Sequence, residues 1–306
     1  MRRLVLAFVL SFVAVLSADA QKSKEKESDV KPFSAIEVSD EFSLTLRKGE
    51  DYVLKTIVDG RLEPYVIARV KDGVLYLGIE RKKIAPEVKK DLRTAHSKGV
   101  VIKAEVTVPF VNSLEVSEDA VVECVDVIET DSFILKAADK ASVENLTLIC
   151  SNAEVNVSKS ASVDMEINAS SLMQFKSSGS SKSYLKHTGD SLAIASTGSS
   201  EIEVIVDSKG IMVDNSGMSN VKLLSGKVGN LKVTASGSAK FNSADLPVAS
   251  AYMIQSGSSK SIVNVTDTLK VNLVGNSTLE FMNNPYIDLE RVVSSTLTRY
   301  NEASSK

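Results

Sequence analysis

The sequence predicts an all-β protein whose main part is a parallel β-helix, or β-solenoid, with rungs of about 20 residues. Three observations lead to this prediction. Short serine-glycine clusters recur every 18 to 20 residues, apolar residues recur at fixed distances from each cluster, and aromatic residues make up only 5% of the chain. A period near 20 is too short for a helical repeat such as ankyrin, which needs about 33 residues.

The first twenty residues have the composition of a secretory signal peptide. Met1-Arg2-Arg3 is basic, residues 4–15 are apolar, and Ala18-Asp19-Ala20 has the small-x-small pattern of a cleavage site. The apolar run is shorter than the about 20 residues that span a membrane, and no later segment resembles a transmembrane helix. We expect cleavage after Ala20 and export to the periplasm, the outer cell surface or the medium. The charged residues 21–31 are expected to form a flexible polar linker.

Residues 32–112 form an N-terminal β-rich part without the repeat. Apolar and polar residues alternate around Ile36, Leu44, Leu77 and Val106, as in strands with one buried face. Lys71-Asp72-Gly73 predicts a tight hairpin turn. We expect these strands to cap the solenoid or to lead into it, because its first rung would otherwise expose an edge.

Residues 113–300 are assigned to the solenoid repeats, and residues 301–306 to a polar tail. The glycines of the clusters mark sharp corners, where positive φ favours glycine. These structural corners are Gly179, Gly198, Gly217, Gly237, Gly257 and Gly275. The same register places corners without glycine at Glu118, Asp139, Lys159 and Ser294.

Other columns align with these corners. Four residues before nine successive corners stand Leu114, Leu135, Val155, Phe175, Ile194, Val213, Val233, Met253 and Val271. Six residues before them stand Asn112, Phe133, Ala153, Met173, Leu192, Ile211, Leu231, Ala251 and Leu269. Six residues after the ten corners stand Cys124, Asn145, Met165, Leu185, Val204, Leu223, Ser243, Val263, Phe281 and Tyr300. Because side chains alternate across a strand, these columns predict inward-facing positions of two or three short strands per rung.

The sequence also resembles a known family. The segments PFSAIEV at 32–38, FSLTLRKG at 42–49, YVL at 52–54, LEPYV at 62–66 and VKDGVLYL at 70–77 resemble the N-terminal part of the putative auto-transporter adhesin, head GIN domain family. The Ser-Gly-Ser repeats and the ending around Asn284-Pro285 resemble its C-terminal part. The resemblance implies a secreted β-helical protein, most often from Bacteroidota, without an established enzymatic activity. Asn283 stands where this family usually has glycine, and the Ser294 corner is degraded, so a less regular last rung is expected.

Residues 80–99 interrupt the strand pattern with a basic segment. Seven basic side chains stand there against three acidic ones. Six of them form a candidate polyanion-binding loop: Arg81, Lys82, Lys83, Lys89, Lys90 and Arg93. Two interpretations stay open, a docking surface for anionic glycan and a solvated loop with one or two helical turns.

Composition excludes several classes of function. Two histidines, His96 and His187, and two cysteines, Cys124 and Cys150, are too few for a His/Cys metal or haem centre, and no cofactor or metal is expected. A formal net charge of −3 and a pI near 5.7 argue against a nucleic-acid partner. The cysteines stand at different distances from their corners, which predicts two free thiols. His187 is expected at the surface.

A polysaccharide-degrading β-helix needs clustered carboxylates. The acids of the repeat region are expected to stand singly, in different columns: Glu118, Asp139, Glu154, Asp164, Glu201 and Glu203. We therefore predict no catalytic residues and no enzyme. Asp190-Ser191-Leu192 and Asp267-Thr268-Leu269 resemble the O-glycosylation signal of Bacteroidota, so Ser191 and Thr268 are candidate modification sites.

Together these observations predict an exported, noncatalytic β-solenoid that acts as a cell-surface adhesin or in envelope interaction. The partner would be a cell-surface protein or a glycan, and stacking of solenoid ends leaves a homo-oligomer open. The alternative is a glycan-binding or polysaccharide-degrading β-helix, which a groove of acidic and aromatic residues in one column would favour.

Overall fold

A computed structural model describes residues 23–95 and 100–301, without the side chains of residues 93–95. The described chain is a parallel β-solenoid of about nine turns with rungs of about 20 residues, preceded by an N-terminal β segment. The predicted fold class is thus confirmed. The predicted signal peptide and residues 302–306 lie outside the described residues.

In the described residues the secondary structure consists of 21 strands, one α-helix and one short 3₁₀-helix (Glu63–Tyr65). The strands before the helix are β1 (Ser23–Asp29), β2 (Ala35–Val38), β3 (Ser43–Lys48), β4 (Val53–Asp59), β5 (Val66–Lys71) and β6 (Val74–Ile79), and the helix is α1 (Pro86–Ala95). The first strands after it are β7 (Ile102–Val108), β8 (Ser113–Val116), β9 (Val121–Cys124), β10 (Ile128–Glu129) and β11 (Ser132–Ala137). The long strands of the repeats are β12 (Ser142–Val157), β13 (Ser162–Ser177), β14 (Lys182–Ser196), β15 (Glu201–Asn215), β16 (Asn220–Ala235), β17 (Lys240–Gln255) and β18 (Lys260–Val274). The last strands are β19 (Thr278–Met282), β20 (Tyr286–Val293) and β21 (Thr296–Arg299).

Successive rungs stack in the predicted register. Phe175 of β13 pairs with Ile194 of β14, which pairs with Val213 of β15, and all three strands run parallel. All nine residues of the column four before the corners are buried, and so are the eight apolar residues of the column six before. The core is therefore a set of apolar ladders that run along the solenoid axis.

In the column six residues after the corners, the inward prediction is wrong at Asn145, and Tyr300 at the end of the column is only half-buried. Asn145 is exposed and has a φ of 56°, and the pairing with β13 shifts there, so that Leu146 stands opposite Met165. Leu146 is fully buried in its place. A β-bulge inserts one residue into a strand and turns the following side chains to the other face, so a fixed distance from the corner fails at this rung.

The ten corner positions all have positive φ, from 54° at Ser294 to 79° at Gly275. Close stacking adds a second requirement for glycine, because a Cβ on Gly198 would lie 2.7 Å from the carbonyl oxygen of Gly179. Buried serines flank the glycine corners. The hydroxyls of Ser177 and Ser181 lie 2.7 Å apart, which satisfies both inside the turn.

The N-terminal part both leads into the solenoid and caps it. Strands β2 and β3 flank a corner at Asp40, whose φ is 63°, and they pair in parallel with β8 and β9. The parallel stacking therefore continues across the predicted boundary at residue 112, from the solenoid into the N-terminal part. On their other side, β2 pairs with β6 and β3 with β7. The outermost rung, formed by β6 and β7, is therefore the second rung along the chain, and the rung of β2 and β3 lies between it and the rung of β8 and β9.

Antiparallel strands close this end. Strand β5 forms a hairpin with β6 across Asp72 and Gly73, as the turn sequence predicts, and β4 pairs with β7. Strand β1 adds to β4. Residues 23–29 are therefore a strand rather than the expected flexible linker. Its charged sequence suits an edge, because charge discourages pairing with other chains.

The basic segment replaces the corner of this outermost rung. It lies between β6 and β7 and contains α1, whose ten residues make nearly three helical turns, more than expected. Pro86 begins the helix, where its missing N–H costs nothing. The segment thus packs at the end of the solenoid and positions the residues described below.

Candidate functional site

The basic segment is anchored to the first corner of the solenoid by Arg81. Its guanidinium donates to the buried carboxylate of Asp40, and its Nη2 lies 3.2 Å from Oε1 of Glu41. Burial opposes protonation of Arg81, but the two carboxylates outweigh it and hold its pKa above the ordinary value. Asp40 also accepts the N–H of Ile79 at 2.5 Å. Arg81 therefore stabilises the fold, and its charge is neutralised by Asp40 and Glu41.

A cavity of about 500 Å³ opens beside this anchor, between the basic segment and the capped end of the solenoid. Its charged lining comes from Glu41, Arg81, Lys82 and Lys89. Its apolar lining is formed by Leu62, Ile79, Ile84, Leu92, Val100 and Ile102. The structure thus brings three of the six predicted basic residues to one cavity, which has an apolar floor that the charge pattern did not reveal.

The other predicted basic residues do not join them. Lys83 pairs with Glu80 at 2.7 Å and is exposed. Lys90 is exposed on α1 and does not line the cavity, and the side chain of Arg93 lies outside the described residues. The segment therefore does not present a continuous cationic strip over the part that the structure describes.

A column of acidic and aromatic side chains lies on the side of the solenoid, and it is not among the features predicted from the sequence. Asp164 pairs with Tyr184, and Tyr184 pairs with Glu203, so these outward side chains stand in one column on adjacent rungs. A cavity of about 390 Å³ includes them together with Glu144. The prediction that Asp164 and Glu203 stand in different columns is wrong. Both follow their corners by five residues, a signal that the sequence contained.

The sequence matches a known protein family over most of its length. Residues 32–186 and 142–285 match the family described as "Putative auto-transporter adhesin, head GIN domain". The chain belongs to this family. Two overlapping matches agree with a domain built from repeated rungs, because a shift along the solenoid reproduces the same pattern.

Solved structures share the architecture of this head GIN domain at low identity. A "putative adhesin" from Parabacteroides distasonis ATCC 8503 has 18% identity and a TM-score of 0.52, and a "Putative lipid binding protein" from the same strain has 15% identity and a TM-score of 0.50. Each alignment covers 92% of this chain and 98% of the other. A search of curated proteins found no match. At this identity the likeness shows the fold alone.

The reactive side chains of the head GIN domain lie inside the solenoid. His187 is 1% exposed rather than at the surface as predicted, and burial lowers its pKa to about 4. Cys124 and Cys150 are free and buried, as predicted for the thiols, and burial raises their pKa values to about 12 and about 11. These groups are held in their neutral forms at pH 7, where a thiol is a poor nucleophile.

The described residues contain neither a membrane-spanning helix nor a cluster of metal-ligating side chains. No helix there is long and apolar enough to cross a membrane. No group of three or more His, Cys, Asp or Glu side chains there is placed to hold a metal ion.

Proposed function

We propose that this protein is an exported, noncatalytic β-solenoid that acts in adhesion or envelope interaction at the cell surface. The observation that carries the proposal is the match to the head GIN adhesin family over residues 32–285. A solenoid suits this role because a stack of short rungs offers long lateral faces for a partner. The partner is a surface protein or a glycan.

Export is supported by the signal peptide predicted at residues 1–20, with cleavage after Ala20. A noncatalytic role is supported by the burial of His187, Cys124 and Cys150, which keeps these three side chains from reacting at the surface. Adhesion needs none of these groups.

Protease treatment of intact cells tests the location. We expect the protein to be degraded from outside while a periplasmic marker stays intact, and a strain that lacks the protein to adhere less to host or abiotic surfaces. Protection of the protein on intact cells, with degradation only after the outer membrane is permeabilised, would exclude the adhesin function.

A specific observation favours a second function, glycan binding on the side of the solenoid. The column of Asp164, Tyr184 and Glu203 combines carboxylates with an aromatic ring that is 39% exposed. Carboxylates can accept hydrogen bonds from sugar hydroxyls, while the ring packs against the apolar face of a sugar.

Screening on a glycan array tests this second function. Tyr184→Ala should abolish any retention that the wild type shows, whereas Tyr286→Ala should keep it, because Tyr286 is exposed outside this column. Equal retention by both variants would refute the site. Release of sugar products from a polysaccharide panel would overturn the noncatalytic assignment.

A further inference from the structure

The cavity beside α1 combines an apolar floor with a charged rim. Leu62, Ile79, Ile84 and Ile102 are each at most 7% exposed and belong to the hydrophobic core, so the floor consists of well-buried side chains. A volume of about 500 Å³ is within the range of small-molecule sites. The cavity is therefore large enough for a compact ligand with an apolar body.

The charges at the rim are not equivalent. Arg81 and Glu41 are paired with each other, and Arg81 also bonds to Asp40. Lys82 and Lys89 line the same cavity and form no ion pair with any described residue. Three cationic side chains against the carboxylates of Glu41 and Asp40 give the rim a net charge of +1, which favours an anion on the ligand.

We propose that this cavity binds an amphipathic monoanion, a medium-chain fatty acid whose carboxylate lies between Lys82 and Lys89. Its aliphatic chain packs on the apolar floor, where each methylene leaves water. A sugar would bring hydroxyls against this floor without hydrogen-bond partners, which is unfavourable. An extended polyanion would find only Lys82 and Lys89 without an ion pair among the described residues that line this cavity. This site is independent of the adhesion proposed above.

Calorimetric titration of the mature chain with octanoate, decanoate and laurate, each below its micelle concentration, tests the apolar floor. We expect affinity to rise about fourfold for each added methylene until the cavity is full. Acetate should not bind. Dodecyltrimethylammonium, with a chain as long as that of laurate and the opposite charge, should bind more weakly than laurate by at least tenfold.

Substitutions at the rim test the charge. The double variant Lys82→Gln/Lys89→Gln should weaken laurate binding about tenfold. Lys83→Gln removes the same charge from the same segment outside the cavity and should leave binding unchanged. Circular dichroism of each variant establishes that the fold is kept.

Three results would overturn the proposal: laurate that does not bind, laurate binding that is equal in the double variant and the wild type, or a cationic analogue that binds as tightly. Retention on heparin that the double variant loses, without laurate binding, would assign the lysines to a polyanion instead. None of these outcomes bears on cell-surface exposure, so the failure of this site and of the adhesin function can be distinguished.

Discussion

The buried His187 is expected to make the solenoid less stable in mild acid. Its ring stands between Ile167 and Val206 on adjacent rungs, and neither ring nitrogen has a hydrogen-bond partner among the described residues. Burial disfavours the charged form and lowers the pKa from 6.5 to about 4. The unfolded chain therefore binds a proton at a pH where the folded protein does not.

The sign and size of the effect follow from this difference. Above pH 6.5 both states are neutral and no stability is lost. As the pH falls below 6.5, the unfolded state gains a proton and the free energy of unfolding decreases. The loss is about 2 kcal/mol at pH 5 and about 3 kcal/mol at pH 4, at 1.36 kcal/mol per pKa unit.

Urea denaturation of the mature chain at pH 8, 6 and 5, followed by circular dichroism, measures this loss. His187→Leu places an aliphatic side chain beside Ile167 and Val206 and removes the titrating group. Because carboxylates titrate in both proteins, the relevant quantity is the difference between them. We expect the variant to lose about 2 kcal/mol less than the wild type between pH 8 and pH 5. Equal losses would refute the assignment of a neutral, buried imidazole.

Three further perturbations have matched controls. Gly198→Ala should lower the melting temperature by more than Gly73→Ala does. Both glycines have positive φ, but only at Gly198 would a Cβ lie 2.7 Å from a backbone oxygen of the neighbouring rung. Equal decreases in melting temperature would contradict the stacking argument. Arg81→Ala leaves the buried carboxylate of Asp40 without its cationic partner and should cost about 2 kcal/mol, whereas Lys83→Ala breaks an exposed pair and should cost under about 1 kcal/mol. Cys124, with its pKa raised to about 12, should resist iodoacetamide at pH 8 until urea unfolds the chain, and a mass increase of the folded protein would show that the thiol is accessible.

The repeat could be predicted from the sequence because it is local. Each rung stacks on the next, so the same requirements return every 20 residues: an inward apolar residue such as Val213, and a corner such as Gly217 where φ is positive. Even the corner at Ser294, which contains no glycine, is predicted from the register of the repeat alone. The acid and tyrosine column was equally accessible, since Asp164, Tyr184 and Glu203 share one distance from their corners.

The remaining features depend on contacts that have no period. The order of β2, β6 and β8 across the sheet is set by pairing between segments far apart in the chain, and antiparallel capping by β1 and β4 leaves no repeat to detect. The bulge at Asn145 shifts the strand register of one rung, and the residue types around it do not indicate the shift.

The chain by itself determined the solenoid, its corners and the basic charge of residues 80–99, because strand periodicity and positive φ are properties of neighbouring residues. Only the tertiary structure decided that Arg81 is neutralised by Asp40, that His187 lies in the core, and that Lys82 and Lys89 line one cavity with an apolar floor. The physical reason is that burial and charge compensation depend on which distant strands close over a side chain, and an amino-acid pattern does not contain that information.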